Sequence, residues 1–194
     1  MDYYVGFEVE QDLFTHKITL HQTRYITDVL RRFDMMNSNP VSTPADPHVI
    51  LCTSTGSDDA EFHGPYQQAI GCLMYAMVMT RVDITFAVTR CAQYSSCPRL
   101  SHWAAVKRVM RYLRGTLSYG ITFFGMPADL CLSGFVDADY NNDTSDRKSR
   151  TGFVFKMANG PLSWCSPKQG CNADSTTEAD FVALAEAAKE SIWL

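Results

Sequence analysis

The chain has 194 residues with 17 Lys and Arg against 21 Asp and Glu, a formal charge of −4; at roughly 150 residues per domain that is about 1.3 domains. With 46% hydrophobic, 12% aromatic and 20% charged residues, it can bury a core, which excludes a disordered chain, a collagen and a coiled coil. The mild acidity argues against a protein that coats nucleic acid over its whole surface but permits a local basic face.

Met1-Asp2-Tyr3-Tyr4-Val5-Gly6-Phe7-Glu8 has neither the basic start nor the apolar stretch of a signal peptide, so an intracellular location is expected. The longest apolar run, Ala69 to Met79, is too short to span a bilayer, and no membrane partner is expected. Seven cysteines (52, 72, 91, 97, 131, 165 and 171) form no Cys-x-x-Cys pair. They read as free thiols of a reducing compartment, and no histidine stands at zinc-finger spacing from them.

In chain order, Val5, Phe7 and Val9 alternate with Glu8 and Glu10, and the pattern resumes at Lys17 to His21, which predicts a two-stranded hairpin. From Thr23, Tyr25, Ile26, Val29, Leu30 and Phe33 recur at helical spacing, with Asn37-Ser38-Asn39-Pro40 as the stop. Pro40 to Pro65 carries four prolines and many Ser and Thr, and reads as a linker or long surface loop. The pair Asp58-Asp59 lies in it with no flanking apolar strands and reads as loop.

Three helices should follow: Gln67 to Met79, apolar all round and so buried; Val82 to Ser95; and, after Pro98, a helix capped by Ser101 with Trp103, Val106, Met110 and Leu113 on its apolar face. Beyond Gly115 the period changes to strands at Leu130 to Asp137, Thr151 to Met157 and Leu162 to Cys165, the last two joined by an Asn159-Gly160 turn. Ser175 to Leu194 reads as a helix on which Phe181, Leu184, Ala188 and Ile192 recur; it stops without a terminator and looks cut.

Chemistry concentrates in three places. Arg99, Lys107, Arg108, Arg111 and Arg114 lie between Pro98 and Thr116 with no acidic residue among them. Lys107, Arg111 and Arg114 fall on one side of a helix, a spacing suited either to backbone phosphates or simply to solvent. Asp129, Asp137, Asp139, Asp143 and Asp146 cluster without a cation, and Asp137 ends an apolar strand, where rigid backbone would fix a carboxylate for Mg²⁺. Ser175 and Glu178 have the spacing of a capping box, which gives Glu178 a structural role that Asp180 lacks. The two are about 200° apart on a helix, so at most one of them should face a metal shared with Asp137.

Several motifs run in one order: Tyr4-Val5-Gly6-Phe7-Glu8-Val9, Pro40-Val41-Ser42-Thr43-Pro44, Tyr66 to Tyr75, Thr80-Arg81-Val82-Asp83-Ile84, His102 to Arg108, Arg111-Tyr112-Leu113-Arg114-Gly115-Thr116, Asp137-Ala138-Asp139-Tyr140, Ser175 to Phe181 and Glu186 to Leu194. In these the chain resembles the Pol polyprotein of copia-type LTR retrotransposons, at the end of the reverse transcriptase and the start of RNase H. The resemblance implies an α+β chain, with a primer-grip hairpin and helical thumb and connection segment followed by a truncated RNase H-like β-β-β-α unit. It divides the chain into a primer-grip and thumb remnant at 1–39, a linker at 40–65, a helical connection at 66–127 and the RNase H part at 128–194.

It further implies that Asp137 is the first metal-binding aspartate of RNase H, whose two Mg²⁺ ions clamp the scissile phosphate of an RNA–DNA hybrid. Asp180, followed three residues later by Ala183, fits the second carboxylate better than Glu178, although the family carries Glu there. Lys107, Arg108, Arg111 and Arg114 become candidate nucleic-acid contacts. The polymerase aspartate pair and the third RNase H aspartate belong outside these residues, so the implied partners are the rest of the Pol polyprotein and nucleic acid, and activity of the chain alone is not expected. Arg111-Tyr112-Leu113-Arg114 also satisfies the short Arg-x-Leu-Arg pattern of oomycete secreted effectors, and a co-opted, non-enzymatic interaction protein is the alternative reading.

Overall fold

A computed structural model describes residues 2–52, 59–125, 130–141, 143 and 146–194, the side chains of residues 2 and 3 apart. It divides into two compact units, Met1–Asp12 with Ile18–Ile121, and Leu13–Lys17 with Thr122–Leu194. Asp58 and Asp129 lie outside the described residues.

The first unit opens with β1 (Asp2–Tyr4), β2 (Phe7–Asp12) and β3 (Lys17–His21). The predicted first strand is thus two strands. Val5 (φ 43°) and Gly6 (φ 86°) both take left-handed backbone between the paired Tyr4 and Phe7, the two-residue turn that matches strand twist. Helix α1 (Thr23–Arg32) buries Ile26, Val29 and Leu30. It ends well before the predicted Asn37–Pro40 stop because Asp34 (φ 55°) turns the chain: its N–H donates to Arg31 O (3.2 Å) and that of Met35 to Leu30 O (2.8 Å). These two bonds satisfy the end of the helix as a Schellman motif does.

Helix α2 (Tyr66–Met79) is not buried all round: Tyr66, Ala69, Ile70, Leu73, Ala76 and Met77 face the core, while Met74 and Val78 lie on the surface. The predicted 82–95 helix is a short 3₁₀ turn at 82–84 followed by α3 (Thr85–Ala92). Helix α4 (Leu100–Gly115) packs its Val106, Val109, Met110, Tyr112 and Leu113 into the same core.

Ser101 is not the cap of α4; it is already helical. Arg99 holds the cap position, its N–H donates to His102 Nδ1 (3.1 Å), and Asp59, 42 residues upstream, accepts from Ser101 N (3.0 Å) and Oγ (2.6 Å). A carboxylate beside free N–H groups at a helix start is favourable whether it comes from the cap residue or from a distant segment. Of the 40–65 stretch, Leu51 is buried, and Val41, Ala45 and Phe62 pack on the core.

Strand β4 (Gly120–Phe124), which the sequence reading did not separate, closes a sheet of order β1-β2-β3-β4. The second unit holds β5 (Ser133–Asp139), β6 (Arg150–Met157) and β7 (Gly160–Cys165), antiparallel in that order, with α5 (Thr176–Trp193) against β5 and β6. The β6–β7 turn is one residue earlier than predicted: Ala158 and Asn159 are left-handed (φ 51° and 62°) between the paired Met157 and Gly160. Gly160 belongs to β7, where a Cβ would stand 2.5 Å from the Phe123 ring and 2.7 Å from Thr122 O. The α5 prediction is reversed: Ala179, Ala183 and Ala187 face the sheet, while Phe181, Leu184 and Ile192 are exposed. Small residues let the helix approach the strands closely, and that spacing prevails over side-chain size.

Candidate functional site

The basic row on α4 lies beside residues 36–46 and runs antiparallel to them. Arg114 Nε donates to Met36 O (2.8 Å), Arg111 Nε to Asn39 O (2.7 Å), and an Arg108 terminal nitrogen to Thr43 Oγ1 (2.9 Å). The other terminal nitrogen of Arg108 pairs with Asp46 Oδ2 at 3.1 Å. A segment lacking ladder bonds needs donors for its carbonyls; Arg111 and Arg114, one turn apart, supply two of them, while Arg108 holds the Thr43 hydroxyl. Each of Arg111 and Arg114 gives its Nε to this task, and a guanidinium carries five N–H groups. Lys107 is exposed.

Arg81 anchors a second cluster and was not singled out beforehand. Its side chain is 0% exposed, and it pairs with Asp83 through two bonds, Nε to Oδ1 (2.9 Å) and a terminal nitrogen to Oδ2 (2.7 Å). It donates further to Thr116 O and Oγ1, and lies 5.7 Å from the ring centres of both Tyr112 and Tyr119. Burial pushes the Asp83 carboxyl up, but the Arg81 guanidinium and the Tyr112 hydroxyl outweigh it and hold the group below the ordinary carboxylate range. In the sequence Arg81 and Asp83 stand only as part of the Thr80-Arg81-Val82-Asp83-Ile84 motif, two residues apart beyond a helix end.

His102 was also missed as a chemical group. It is fully buried and stacks on Tyr94 at 3.9 Å, accepts from the Arg99 N–H at Nδ1, and reaches Cys52 O with Nε2 (3.0 Å). That pair of neighbours requires the neutral tautomer with the proton on Nε2. Desolvation lowers its pKa, against the Cys52 carbonyl, which raises it.

In the second unit, Asp137 and Asp139 stand on β5 and are exposed. Gln169 Nε2 donates both to Thr151 Oγ1 (3.2 Å) and to Ala179 O (2.9 Å), and Ser163 Oγ donates to Glu190 Oε1 (2.5 Å). These bonds identify the sheet face that α5 covers. Ala138 pairs with Thr151 and shares its face; Asp137, paired with Gly152, alternates to the opposite one. Asp180 and Glu178 on α5 are exposed. Glu178 is engaged at the helix start: its N–H donates to Ser175 Oγ (3.1 Å) and its Oε2 accepts from Asp174 N (2.7 Å), one residue before the position of a capping box.

Asp143 and Asp146 are bonded to Lys168 Nζ at 2.5 and 2.8 Å, so part of the acid-rich segment is neutralised internally. Among the described residues no three His, Cys, Asp or Glu side chains come together as a metal site. None of the seven cysteines forms a disulfide, and no helix among the described residues is long and apolar enough to cross a membrane.

No family model and no solved structure matches the chain. Curated relatives do. The retrovirus-related Pol polyprotein from transposon TNT 1-94 of Nicotiana tabacum is 43% identical over 98% of this chain and 14% of its own length. That from transposon RE2 of Arabidopsis thaliana is 35% identical over 100% of this chain and 13% of its own length. Secreted RxLR effector protein 161 of Plasmopara viticola is 44% identical over 67% of this chain and 91% of its own length. The chain therefore spans about a seventh of the Pol polyproteins it matches, and it belongs to the family of retrovirus-related Pol polyproteins from transposons.

Proposed function

We propose that the chain is the stretch of a copia-type Pol polyprotein that runs from the end of the reverse transcriptase into the start of RNase H. In this reading it helps to hold an RNA–DNA hybrid, while the rest of the polyprotein completes both active sites. The observation that carries the reading is the 43% identity to a Pol polyprotein over nearly the whole chain. The motif order from Tyr4 to Leu194 supports the finer assignment to primer grip, thumb, connection and RNase H.

Lys107 is the leading phosphate contact, because it is exposed on the basic helix; Arg108, Arg111 and Arg114 add positive potential beside it while holding residues 36–46. Asp137 and Asp180 are the carboxylates this stretch contributes toward Mg²⁺, and Glu178 is set aside by its helix-start bonds. The expected result with these 194 residues alone is binding to an RNA–DNA hybrid without cleavage in Mg²⁺. Mg²⁺-dependent cleavage abolished by Asp137→Asn would overturn the proposal that the chain is catalytically incomplete.

A second reading, a co-opted interaction protein, draws on the likeness to secreted RxLR effector protein 161. In this chain Tyr112 and Leu113 of the Arg111–Arg114 tetrapeptide are buried in α4, so the tetrapeptide as a whole is not a free surface motif. Reading frames for the polymerase palm upstream and the remaining RNase H strands downstream would favour the Pol reading; an intact single gene would favour co-option.

A further inference from the structure

One cavity in the first unit is unexplained by the Pol reading. It has a volume of about 210 Å³ and lies among α3, α4 and residues 44–51. Its walls include the apolar groups of Val49, Leu51, Ala87, Ala104, Ala105 and Val109. Three arginines, Arg90, Arg108 and Arg111, also line it, with one acidic residue, Asp46. Asp46 is bonded to Arg108, and Arg111 gives its Nε to Asn39 O. Arg90 lies 6.0 Å from the centre of the Phe86 ring.

The Nε–H of Arg108 is buried and has no acceptor among the described residues. The charge of Arg108 is met by Asp46 and its other terminal nitrogen by Thr43, so among the described residues Nε is the one donor of this guanidinium left to be matched by an acceptor. An apolar cavity with a few charged side chains among its lining residues is the arrangement that small-molecule sites use: the apolar floor takes the body of the ligand and the few polar groups fix its head.

We propose that this cavity binds a small organic anion, with a carboxylate or phosphate head at Arg90, Arg108 and Arg111 and an apolar or aromatic body against Val49, Leu51 and Ala105. The site shares Arg108 and Arg111 with the basic row of α4, and Arg90, on α3 and outside that row, is the residue that separates it from the nucleic-acid reading. Planar guanidiniums match either head with paired, charge-assisted hydrogen bonds.

The test is calorimetric titration of the whole chain with octanoate and, separately, with adenosine monophosphate, using octylammonium as a control of the same body and opposite charge. The expected result is saturable 1:1 binding of at least one anion and none of octylammonium. Arg90→Gln should weaken that binding by about tenfold, the effect of losing one charge-assisted bond. Ala105→Phe, which fills the floor while leaving the charges, should abolish it; if that variant does not fold by circular dichroism, Val49→Trp from the loop side replaces it. Saturation by octanoate alone assigns a carboxylate ligand, and by the nucleotide alone a phosphate ester. Absence of binding by both anions, equal binding of octylammonium, or unchanged affinity when the floor is filled in a folded variant overturns the proposal. RNA–DNA hybrid binding measured on Arg90→Gln separates the two ideas, because it should stay at the wild-type level.

Discussion

The two units solve the same problem with different materials. The first buries large side chains, Ile26, Leu30, Tyr66, Leu73, Ile84, Met110 and Leu113 among them, and includes a fully buried arginine whose charge is matched by Asp83. The second buries Phe155, Ala158, Ala179, Ala183 and Ala187 beside the polar Ser149, Thr151 and Gln169, and leaves Phe135, Phe181, Leu184, Ile192 and Trp193 on the surface. Stabilisation by burial follows the apolar area removed from water, so the second unit has less of it and depends on close helix-to-strand approach and on hydrogen bonds such as those of Gln169. Matching a helix to a sheet with alanines gives precise spacing, whereas filling a core with Leu, Met and Tyr gives area.

The contrast can be broken at its most sensitive point in the second unit. Phe155 is the largest apolar group of that core, so Phe155→Ala should cost about 4 kcal/mol, the usual range for deleting a buried ring. Urea unfolding followed by the exposed Trp193 of α5 reports it, in a Trp103→Phe, Trp164→Phe background that leaves this single tryptophan. A loss under about 1 kcal/mol would mean that this core is not what holds the unit.

In the first unit the corresponding change is electrostatic. Arg81→Met removes the cation and leaves Asp83 and Thr116 without it; breaking such a pair should cost about 3 kcal/mol, at the low end for buried pairs because the Asp83 side chain is 28% exposed. The double variant Arg81→Met, Asp83→Leu should recover part of that loss, and a chemical-denaturation cycle on the four proteins measures it.

Acid should separate the units as well. His102 has its pKa lowered in the folded state, so the unfolded chain takes up a proton first as pH falls; its contribution is present above about 6.5, the ordinary histidine value, and is lost below it. Asp83, also lowered, contributes above the ordinary carboxylate range and loses its contribution as pH drops through it. Melting curves between pH 8 and pH 3 should therefore show the first unit weakening in two stages, and His102→Gln should remove the earlier one. A smaller effect is expected at the start of α5, where Ser175→Ala should cost about 1 kcal/mol through loss of the bond from Glu178 N.

The sequence was most legible where one period decided the answer: α2, α4, β6, β7 and α5 fall where their patterns put them, within a few residues at each end, and α1 begins where its pattern does. It misled where two acceptable patterns competed. On α5 both the alanine stripe and the Phe181, Leu184, Ile192 stripe have helical spacing, and nothing local says that the sheet requires the smaller one. Turns were misplaced where residues other than glycine take left-handed backbone, as Val5, Asp34 and Ala158 do, a conformation their residue types do not announce. The partners of the basic helix were not legible because they depend on residues 36–46 folding back across a separation of about seventy positions. The same is true of Asp59 at the α4 start and of the His102 contact with Cys52, which join positions 42 and 50 apart.

The central functional claim is that α4 meets a nucleic-acid backbone, and Lys107 tests it most cleanly, being exposed and outside the arginine bonds to residues 36–46. Binding of a fluorescent RNA–DNA hybrid is measured from about 50 to 200 mM salt, for wild type and Lys107→Ala, with melting temperatures to confirm equal folding. Affinity should fall steeply with salt in the wild type, with a slope shallower by about one in the variant, as the loss of a single phosphate contact requires. Binding that is salt-independent, or a slope and affinity unchanged by Lys107→Ala, would contradict it.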